Sequence, residues 1–218
     1  SGVYERYFIL DGKRYHHIID PKTLMPEQRY LSVSVRAKSS ALCDALSTAV
    51  FNMSSEEAQA LIAKLRAAIP DIALRTTLLV GYPGETEEDF SELMEFVRDT
   101  KFDRLGVFPY SEEEGTYSAT RLKDDVPEEV KHDRVDRIMR LQERVSLENN
   151  ARRIGQTMRV IIDRKEGDFY IGRSEYDSPE VDQELIIDSH GKRLMRGRFY
   201  NVEVTDCEDY DLYAEIVG

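Results

Sequence analysis

The stretch TTLLVGYPGETEEDF, residues 76–90, decides the fold of the middle of the chain. An apolar segment leads into a turn that contains Gly81, Pro83 and Gly84, and an acidic helix start follows at Thr86. A buried strand, a tight turn and a capped helix in this order are typical of a parallel α/β unit, in which cofactors bind beyond the carboxyl ends of the strands. Gly81 and Gly84 are therefore candidate cofactor-binding residues. Spacing alone also allows an ordinary strand-to-helix loop, and the absence of G-x-x-x-x-G-K-[ST] argues against a phosphate-binding loop.

The segments around this turn continue the alternation of strands and helices. The predicted elements are a strand at 72–80, a helix from Thr86, a strand at 103–110, a loop at 111–125 and a helix from about 127 to 153. Parallel strands need a crossover connection, and a βαβα order supplies one. This part of the chain is therefore predicted to be a partial α/β barrel segment.

From residue 155 the pattern changes to short strands separated by turns such as Glu166-Gly167 and His190-Gly191. The predicted strands are 157–163, 168–173, 184–188, 199–205 and 211–217. Five short strands in about 65 residues indicate a small antiparallel β-barrel of the oligonucleotide-binding (OB) type.

The first part of the chain predicts a separate α+β fragment. Residues 4–10 and 14–19 are strand-like, and Asp-Gly between them is a signal for a tight hairpin turn. The further predicted elements are a strand at 30–37, a helix from Ser39 or Ser40 to about Asn52, and a helix at 54–69. Ser54 and Glu57 are placed to form a capping box at the start of that last helix.

Composition and charge limit the class of protein. The 218 residues carry a net charge of −12, with +1 in residues 1–65, −8 in 66–150 and −5 in 151–218. A basic or neutral partner is therefore favoured over nucleic acid. No apolar run is long enough to span a membrane, and no signal-peptide pattern is present, so a cytoplasmic protein without membrane contact is expected. Cys43 and Cys207 are expected to be free thiols in a reducing compartment.

Three stretches together resemble one enzyme family. They are RTTLLVGYPGETEEDF, FDRLGVFPYSEEEGTYSA and VPEEVKHDRVDRIMRLQERVSLENN, and they are similar to the last third of radical S-adenosylmethionine methylthiotransferases. The segment from IGQTMRVIIDRKEGDFYIGRSEYDSPEVD to the C-terminal EIVG resembles the TRAM domain of those enzymes. The likeness covers about residues 60–218 and is greatest for the RimO family, which methylthiolates an aspartate of a small-subunit ribosomal protein. It implies the last two βα units of a barrel followed by a TRAM module.

The cysteine content limits the chemistry that this resemblance implies. The family cleaves S-adenosylmethionine at a 4Fe-4S cluster held by three cysteines in C-x-x-x-C-x-x-C, and it uses a second three-cysteine cluster. Each cluster needs its thiolates, and two cysteines supply neither set. No catalytic residue is predicted, no tightly bound cofactor is expected, and radical chemistry by this chain alone is excluded. A subunit that another chain completes with the cluster domains is a further alternative.

The first part of the chain resembles a different family. YERYFILDGKRYHHIIDPKT and SVSVRAKSSALCDALSTAVFNMS are similar to the ApbE family of flavin transferases, which attach FMN from FAD to a protein threonine. The resemblance implies that His17, Asp20 and Pro21 lie at the flavin site and that Asp44 and Thr48 bind magnesium. Asp and Thr at i and i+4 share a helix face, and their oxygens suit Mg²⁺. Leu24 stands where that family more often has glycine. The residues alone also fit a solvated helix face and a cross-strand histidine pair.

The two resemblances meet in the predicted helix 54–69. The predicted organisation is an ApbE-like fragment at 1–58, βα units of a radical S-adenosylmethionine barrel at 59–153 and a TRAM barrel at 154–218. The fold class is thus α/β followed by a small β-barrel, with an N-terminal α+β fragment. The region that supplies most of the flavin site in the ApbE family is not expected before Ser1, so the chain has the pattern of a fusion of two enzyme tails.

An acidic segment near the C-terminus indicates a partner. TDCEDYDLYAE contains Asp206, Glu208, Asp209, Asp211 and Glu215. Such a face favours a basic small-subunit ribosomal protein, because complementary charge steers association, whereas a tRNA-binding TRAM module is expected to be basic. Three alternatives remain: a tRNA-binding module, a residual binder of Mg²⁺ and flavin nucleotide, and an acidic surface that serves only solubility.

Overall fold

The computed structural model describes residues 7–10, 13–26, 48–49, 52–69, 72–113, 117–179 and 181–217. The chain divides into two units, residues 1–72 and 73–218. Each unit is described separately below.

The N-terminal unit contains a hairpin and one long helix. Strands β1 (Tyr7–Leu10) and β2 (Lys13–His16) pair antiparallel, as predicted. Helix α1 spans Ser55–Ala68, and Ser54 and Glu57 form the predicted capping box at its start. The predicted strand at 30–37 and nearly all of the predicted helix at 39–52 lie outside the described residues.

The second unit begins with the predicted strand–helix–strand unit. Strands β3 (Arg75–Val80) and β4 (Arg104–Pro109) pair in parallel, and helix α2 (Glu87–Thr100) connects them. Thr86 accepts a hydrogen bond from the Asp89 amide, and the Asp89 carboxylate accepts one from the Thr86 amide, which completes a second capping box. Phe90 of α2 packs with Val80 and Val107 of the sheet, and Val97 on the same helix is also fully buried.

Two helices follow β4. The short helix α3 (Tyr117–Arg121) lies in the stretch predicted to be a loop, so that prediction is wrong at this point. Helix α4 (Glu128–Ala151) agrees with the prediction within two residues. Its buried face is partly polar, because it includes Lys131, Arg134, Gln142, Ser146 and Asn150.

The last five strands form a closed barrel in the order β5-β6-β7-β9-β8. They span Thr157–Glu166 (β5), Phe169–Arg173 (β6), Leu185–Asp188 (β7), Phe199–Cys207 (β8) and Leu212–Ile216 (β9). The predicted five-stranded barrel is confirmed. Four pairings are antiparallel, but β7 and β9 run parallel, because β9 lies between β7 and β8. The barrel is therefore mixed rather than wholly antiparallel.

Side chains from all five strands fill the barrel. Its core contains Val160, Ile162, Tyr170, Leu185, Ile187, Val202, Val204, Leu212 and Ala214, with Leu194 from the β7–β8 loop packed among them. Helix α4 joins the barrel through Asn150, whose amide donates to the carbonyls of Glu208 and Asp209 at 3.0 and 3.2 Å. Among the described residues, no helix combines the length and the apolar character that crossing a membrane requires.

Candidate functional site

The loop at the carboxyl end of β3, residues 81–86, turns the chain sharply into α2. Gly81 and Gly84 have φ values of +74° and +86°, a region that residues with a Cβ atom rarely adopt. A Cβ atom on Gly81 would lie 2.4 Å from Cγ of Lys131, whereas one on Gly84 would meet nothing within 4 Å. Gly81 therefore permits both the turn and the close approach of α4.

Glu85 holds the start of this loop. Both oxygens of its carboxylate accept a hydrogen bond from the Gly81 amide at 3.0 Å, and one oxygen pairs with Nη1 of Arg134 at 2.6 Å. The Arg134 side chain is only 4% exposed, and its guanidinium lies 5.2 Å from the Phe90 ring centroid. Because this charge pair is buried and hydrogen-bonded, it fixes the loop to α4.

A second charged group of α4 supports the same loop. Nζ of Lys131 contacts Asp124 at 2.5 Å and lies 5.3 Å from the Tyr110 ring centroid. The hydrogen bond to Asp124 raises the pKa of Lys131 above its ordinary value, so the ammonium stays charged although the side chain is buried. Next to Asp124, Asp125 accepts a hydrogen bond from the Gly84 amide at 2.8 Å.

These contacts define what the loop can bind. The amides of Gly81 and Gly84 already donate to Glu85 and Asp125, so they are not presented to an anionic ligand. A cofactor at this edge would contact side chains or carbonyl groups instead. The role of the two glycines in cofactor binding therefore stays a prediction, whereas their role in shaping the turn follows from their φ values.

The sheet beside the loop exposes an apolar face. Leu79 and Phe108 are direct neighbours across β3 and β4, and they are 51% and 60% exposed. The opposite face packs on the helices through Val80 and Val107. Tyr82 and Tyr110, just beyond the two strands, make an edge-to-face contact at 5.3 Å. The two rings thus meet at the carboxyl ends of the strands, where Tyr110 is buried beside Lys131.

The predicted flavin residues lie in a loop of the N-terminal unit. Asp20 is buried, and its Oδ1 accepts from the Lys22 amide at 2.8 Å, whereas His17 and Pro21 are exposed. Leu24 has φ +56°. That value lies in the left-handed region, which glycine adopts more readily than leucine.

The predicted magnesium site cannot be assembled from the described residues. Thr48 is exposed and helical, but Asp44 lies outside the described residues. Within the part of the chain that the structure describes, no group of three His, Cys, Asp or Glu side chains is placed to hold a metal ion. The assignment of Asp44 and Thr48 to magnesium therefore stays a prediction.

The thiols do not fit an iron–sulfur cluster. Cys207 ends β8 and is half-buried, and Cys43 lies outside the described residues. Burial, followed by the charges of Asp206 and Asp209, raises the pKa of the Cys207 thiol above its ordinary value. A cluster ligand must be a thiolate, and two cysteines are fewer than the three that such a cluster requires.

Strand β8 connects two surfaces of opposite charge. The acidic end comprises Asp206, Glu208, Asp209 and Asp211, and Tyr213 donates a hydrogen bond to Glu208 at 3.0 Å. The basic end comprises Lys192, Arg193, Arg196 and Arg198, which precede β8. The acidic end was predicted from its cluster of carboxylates, whereas the basic end was not predicted, although four cations in seven residues are visible in the sequence.

The comparisons with known proteins match the chain in two parts. The TRAM domain family model matches residues 154–217, and the ApbE family model matches residues 1–72. The chain is 57% identical over 166 residues to ribosomal protein uS12 methylthiotransferase RimO of Bacteroides thetaiotaomicron. The matched stretch makes up 76% of this chain and 38% of that protein. The protein of the same name from Bacteroides fragilis is 52% identical with the same coverage. That from Christiangramia forsetii is 49% identical over 160 residues, 73% of this chain and 35% of that protein.

These matches confirm both resemblances. The chain spans less than two fifths of the length of these relatives. A stretch of 166 residues within 218 begins no later than residue 53, so residues 53–72 belong to both the RimO match and the ApbE match. Helix α1 lies within this shared stretch. The predicted domain boundaries at 58 and 153 stay predictions.

Proposed function

We propose that about residues 60–218 form the carboxy-terminal, substrate-docking portion of a methylthiotransferase of the RimO type, fused after an ApbE-like fragment. The observation that carries the proposal is the 57% identity over 166 residues to a ribosomal protein uS12 methylthiotransferase. The proposed substrate is an aspartate of that basic small-subunit protein, and the proposed location of the chain is therefore the cytoplasm. The loop at Gly81 and Gly84 would form one edge of the S-adenosylmethionine site, next to the apolar face of Leu79 and Phe108.

We propose further that the chain does not carry out the radical step by itself. The reason is the ligand count, since two cysteines do not complete one three-cysteine cluster. We expect no iron above background after anaerobic reconstitution and no reductive cleavage of S-adenosylmethionine. Stoichiometric iron and sulfide per chain would contradict this part of the proposal.

The proposed docking surface for the ribosomal protein is the acidic end of the barrel. Glu208, Asp209 and Asp211 are close in sequence between β8 and β9, and no Lys or Arg occurs from residue 199 to residue 217. This surface attracts a Lys- and Arg-rich protein and repels phosphate. Because Glu208 is exposed and Asp209 and Asp211 are partly exposed, the attraction weakens as salt rises through about 0.1–0.2 M.

Surface plasmon resonance with immobilised uS12 tests this docking. In the test variant Glu208→Gln, Asp209→Asn and Asp211→Asn are combined, which keeps the Asp211 oxygen that accepts from the Glu184 amide. The matched control combines Glu88→Gln, Glu92→Gln and Asp136→Asn, which removes the same charge from exposed helix positions. We expect the association rate with uS12 to fall several-fold in the test variant and to stay nearly unchanged in the control. Equal rates in the two variants would refute docking through the acidic end.

A second candidate function rests on the ApbE family match to residues 1–72. We propose weak binding of Mg²⁺ by Asp44 and Thr48, with flavin nucleotide bound beside His17, Asp20 and Pro21. Few charged ligands imply an affinity in roughly the millimolar range. Calorimetry should show a Mg²⁺ response that Asp44→Ala abolishes, and an unchanged response in this variant would rule the site out.

A further inference from the structure

The basic end of the barrel is a dense cluster of exposed cations. Its members Lys192, Arg193, Arg196 and Arg198 fall within seven residues that contain no acidic residue, and all four are exposed. Among the described residues, none of the four has a carboxylate within 4 Å. The charge of the basic end is therefore directed to solvent.

Carboxylates near this end of the barrel have other partners. Asp188 ends β7, Glu215 lies beside it on β9, and both contact His190. On β5, Glu166 pairs with Arg164. These acidic groups therefore do not neutralise the four cations.

The backbone that carries the cations is well supported. Leu194 is buried in the barrel core. The Gly197 amide donates to the Ile162 carbonyl at 2.8 Å, and the Ile162 amide donates to the Arg198 carbonyl at 3.1 Å. Because the loop is fixed at its centre and its end, docking a partner there orders few backbone torsions, which favours affinity.

The four carboxylates of the acidic end also lack counter-charges. In the part of the chain that the structure describes, none of them has a Lys or Arg side chain within 4 Å. The hydrogen bond to Glu208 and the charge of that carboxylate raise the pKa of Tyr213 above its ordinary value. Burial, followed by the charges of Glu143 and Asp209, raises the pKa of Tyr210. The local field at this end is thus negative.

The backbone of the acidic end is fixed as well. The Glu184 amide donates to the Asp211 carboxylate at 3.1 Å, and the Glu208 amide donates to the Asp211 carbonyl at 2.8 Å. Asn150 of α4 holds the carbonyls of Glu208 and Asp209. Both charged ends are therefore formed before any partner arrives.

Each end also carries an exposed side chain that suits a protein interface. Met195, within the basic end, is 59% exposed, and Tyr210, within the acidic end, is 46% exposed. Methionine and tyrosine are enriched in protein interfaces, and a thioether packs favourably against an aromatic ring. The two ends therefore complement each other in apolar surface as well as in charge.

The two ends cannot neutralise each other within one chain. They flank the nine residues of β8, so they are separated by roughly 26 Å at about 3.3 Å per residue. That distance exceeds the Debye length of about 8 Å at physiological ionic strength. Each end is therefore available to a partner.

We propose that the basic end of one chain docks on the acidic end of a second copy, so that the protein associates head to tail. Charge complementarity identifies the occupant, because four cations meet four carboxylates and guanidinium groups form paired hydrogen bonds with carboxylates. The two surfaces differ and lie at opposite ends of β8, so the contact is heterologous and the assembly is open-ended.

The net charge of −12 opposes this association at long range. At about 0.1 M salt the Debye length is about 10 Å, so charges far from the contact are screened while those within it still attract. Exposed charge pairs contribute little individually, and we expect a dissociation constant of roughly 0.1–1 mM. The inference goes beyond the docking of uS12 and does not depend on it.

Sedimentation velocity of the full chain over a range of concentrations tests the proposal. The basic-end variant combines Lys192→Gln, Arg193→Gln, Arg196→Gln and Arg198→Gln. The acidic-end variant combines Glu208→Gln, Asp209→Asn and Asp211→Asn. Matched controls remove the same charge at exposed positions elsewhere: Arg121→Gln, Lys123→Gln, Arg140→Gln and Arg144→Gln for the first, and Glu88→Gln, Glu92→Gln and Asp136→Asn for the second.

We expect the sedimentation coefficient of the unmodified chain to rise with concentration at about 0.1 M salt, and to fall to that of a monomer at about 1 M, where the Debye length is about 3 Å. Each end variant alone should remain a monomer, whereas both controls should associate like the unmodified chain. Exchanging Lys and Arg at the four basic positions should preserve association, because the charge is kept.

An equimolar mixture of the two end variants gives the sharpest result. The basic-end variant keeps its acidic end, and the acidic-end variant keeps its basic end. The mixture should therefore form a 1:1 dimer that does not grow further, because the two outer ends of that dimer are neutralised. Recovery of the contact in the mixture also shows that both variants are folded.

Three results would overturn the proposal. They are a monomeric unmodified chain up to about 1 mM at 0.1 M salt, equal losses of association in the end variants and their controls, and a mixture that stays monomeric or grows beyond the dimer. The docking of uS12 is judged separately, because the basic-end variant keeps the acidic end and should bind immobilised uS12 like the unmodified chain.

Discussion

The barrel and the β3–β4 sheet differ in how many of their strand edges and faces are covered. Each barrel strand has a neighbour on both sides, and the strands fill the interior with their own side chains. Among the described residues, β3 and β4 pair only with each other, and Leu79 and Phe108 on one face remain exposed. A closed barrel removes its edges, whereas the two-stranded sheet depends on α2 and α4 for its single covered face. Within the unit of residues 73–218, the barrel therefore buries its own core, whereas the β3–β4 sheet leaves one face exposed.

The two parts nevertheless share a buried polar contact. Arg104 of β4 pairs with Asp177, which lies between β6 and β7, and donates to Gln183 at 2.8 Å. Asp177 also accepts a hydrogen bond from Ser174. If this contact couples the sheet to the barrel, losing it should lower the stability of both parts.

The largest effect is therefore expected for Asp177→Ala. The Arg104 side chain is 13% exposed, so removing its partner leaves a nearly buried, unpaired charge. The expected loss is about 4 kcal/mol in the free energy of unfolding. Urea denaturation followed by circular dichroism measures it, with Asp168→Ala at an exposed turn as the control. A loss below about 1 kcal/mol would show that the sheet and the barrel are stabilised separately.

The comparison predicts opposite outcomes for two leucines. Leu185 is fully buried in the barrel, so Leu185→Ala should cost about 3 kcal/mol through lost burial and a cavity. Leu79 lies on the open face of the sheet, so Leu79→Ala should cost less than about 1 kcal/mol. Both are measured by urea denaturation. Similar losses at the two positions would mean that the open face is covered in solution.

The turn after β3 gives the next smaller effect. In Gly81→Ala the alanine would have a positive φ, and its new Cβ atom would also clash with Lys131. In Gly84→Ala the positive φ is the only unfavourable feature, because nothing lies within 4 Å of the new Cβ atom. The expected costs are about 2 and about 1 kcal/mol. Thermal melting of both variants measures the two losses of stability, and their difference gives the contribution of the contact with Lys131. If Gly84→Ala were less stable than Gly81→Ala, the close approach of Lys131 to Gly81 would not be the cause.

The smallest expected effect concerns a surface charge pair of the barrel. The hydrogen bond from Arg164 lowers the pKa of Glu184 below its ordinary value of 4.5. A lowered pKa in the folded state adds stability above the unfolded pKa, and this contribution disappears as pH falls through the folded pKa. The pair is partly exposed, so the contribution at pH 7 is below about 1 kcal/mol.

Glu184→Gln should therefore be less stable than the unmodified chain at pH 7, and the difference should shrink as pH falls below 4.5 and through the lowered pKa of Glu184. Urea midpoints at pH 7 and at a series of lower pH values measure this convergence. A difference between the two proteins that does not shrink as pH falls would mean that the glutamine removes a packing contact rather than a charge.

Local signals predicted the elements better than the site. Ser54 with Glu57, and Thr86 with Asp89, lie within one helical turn, so both helix starts are readable from the sequence. The partners of the glycine loop are distant, since Asp125 is 41 residues from Gly84 and Arg134 is 49 residues from Glu85. The parallel pairing of β7 with β9 also escaped prediction, because it depends on how the barrel closes. The basic end was missed because a net charge averages over surfaces that act independently.

The position of β9 in the barrel has a consequence for synthesis. This strand is the last of the five along the chain, yet it lies between β7 and β8. A growing polypeptide can therefore pair β5 with β6 and β8 early, but the gap between β7 and β8 stays open until residues 212–216 have left the exit tunnel. During that interval the edges of β7 and β8 that β9 later covers are unpaired, and unpaired strand edges favour aggregation.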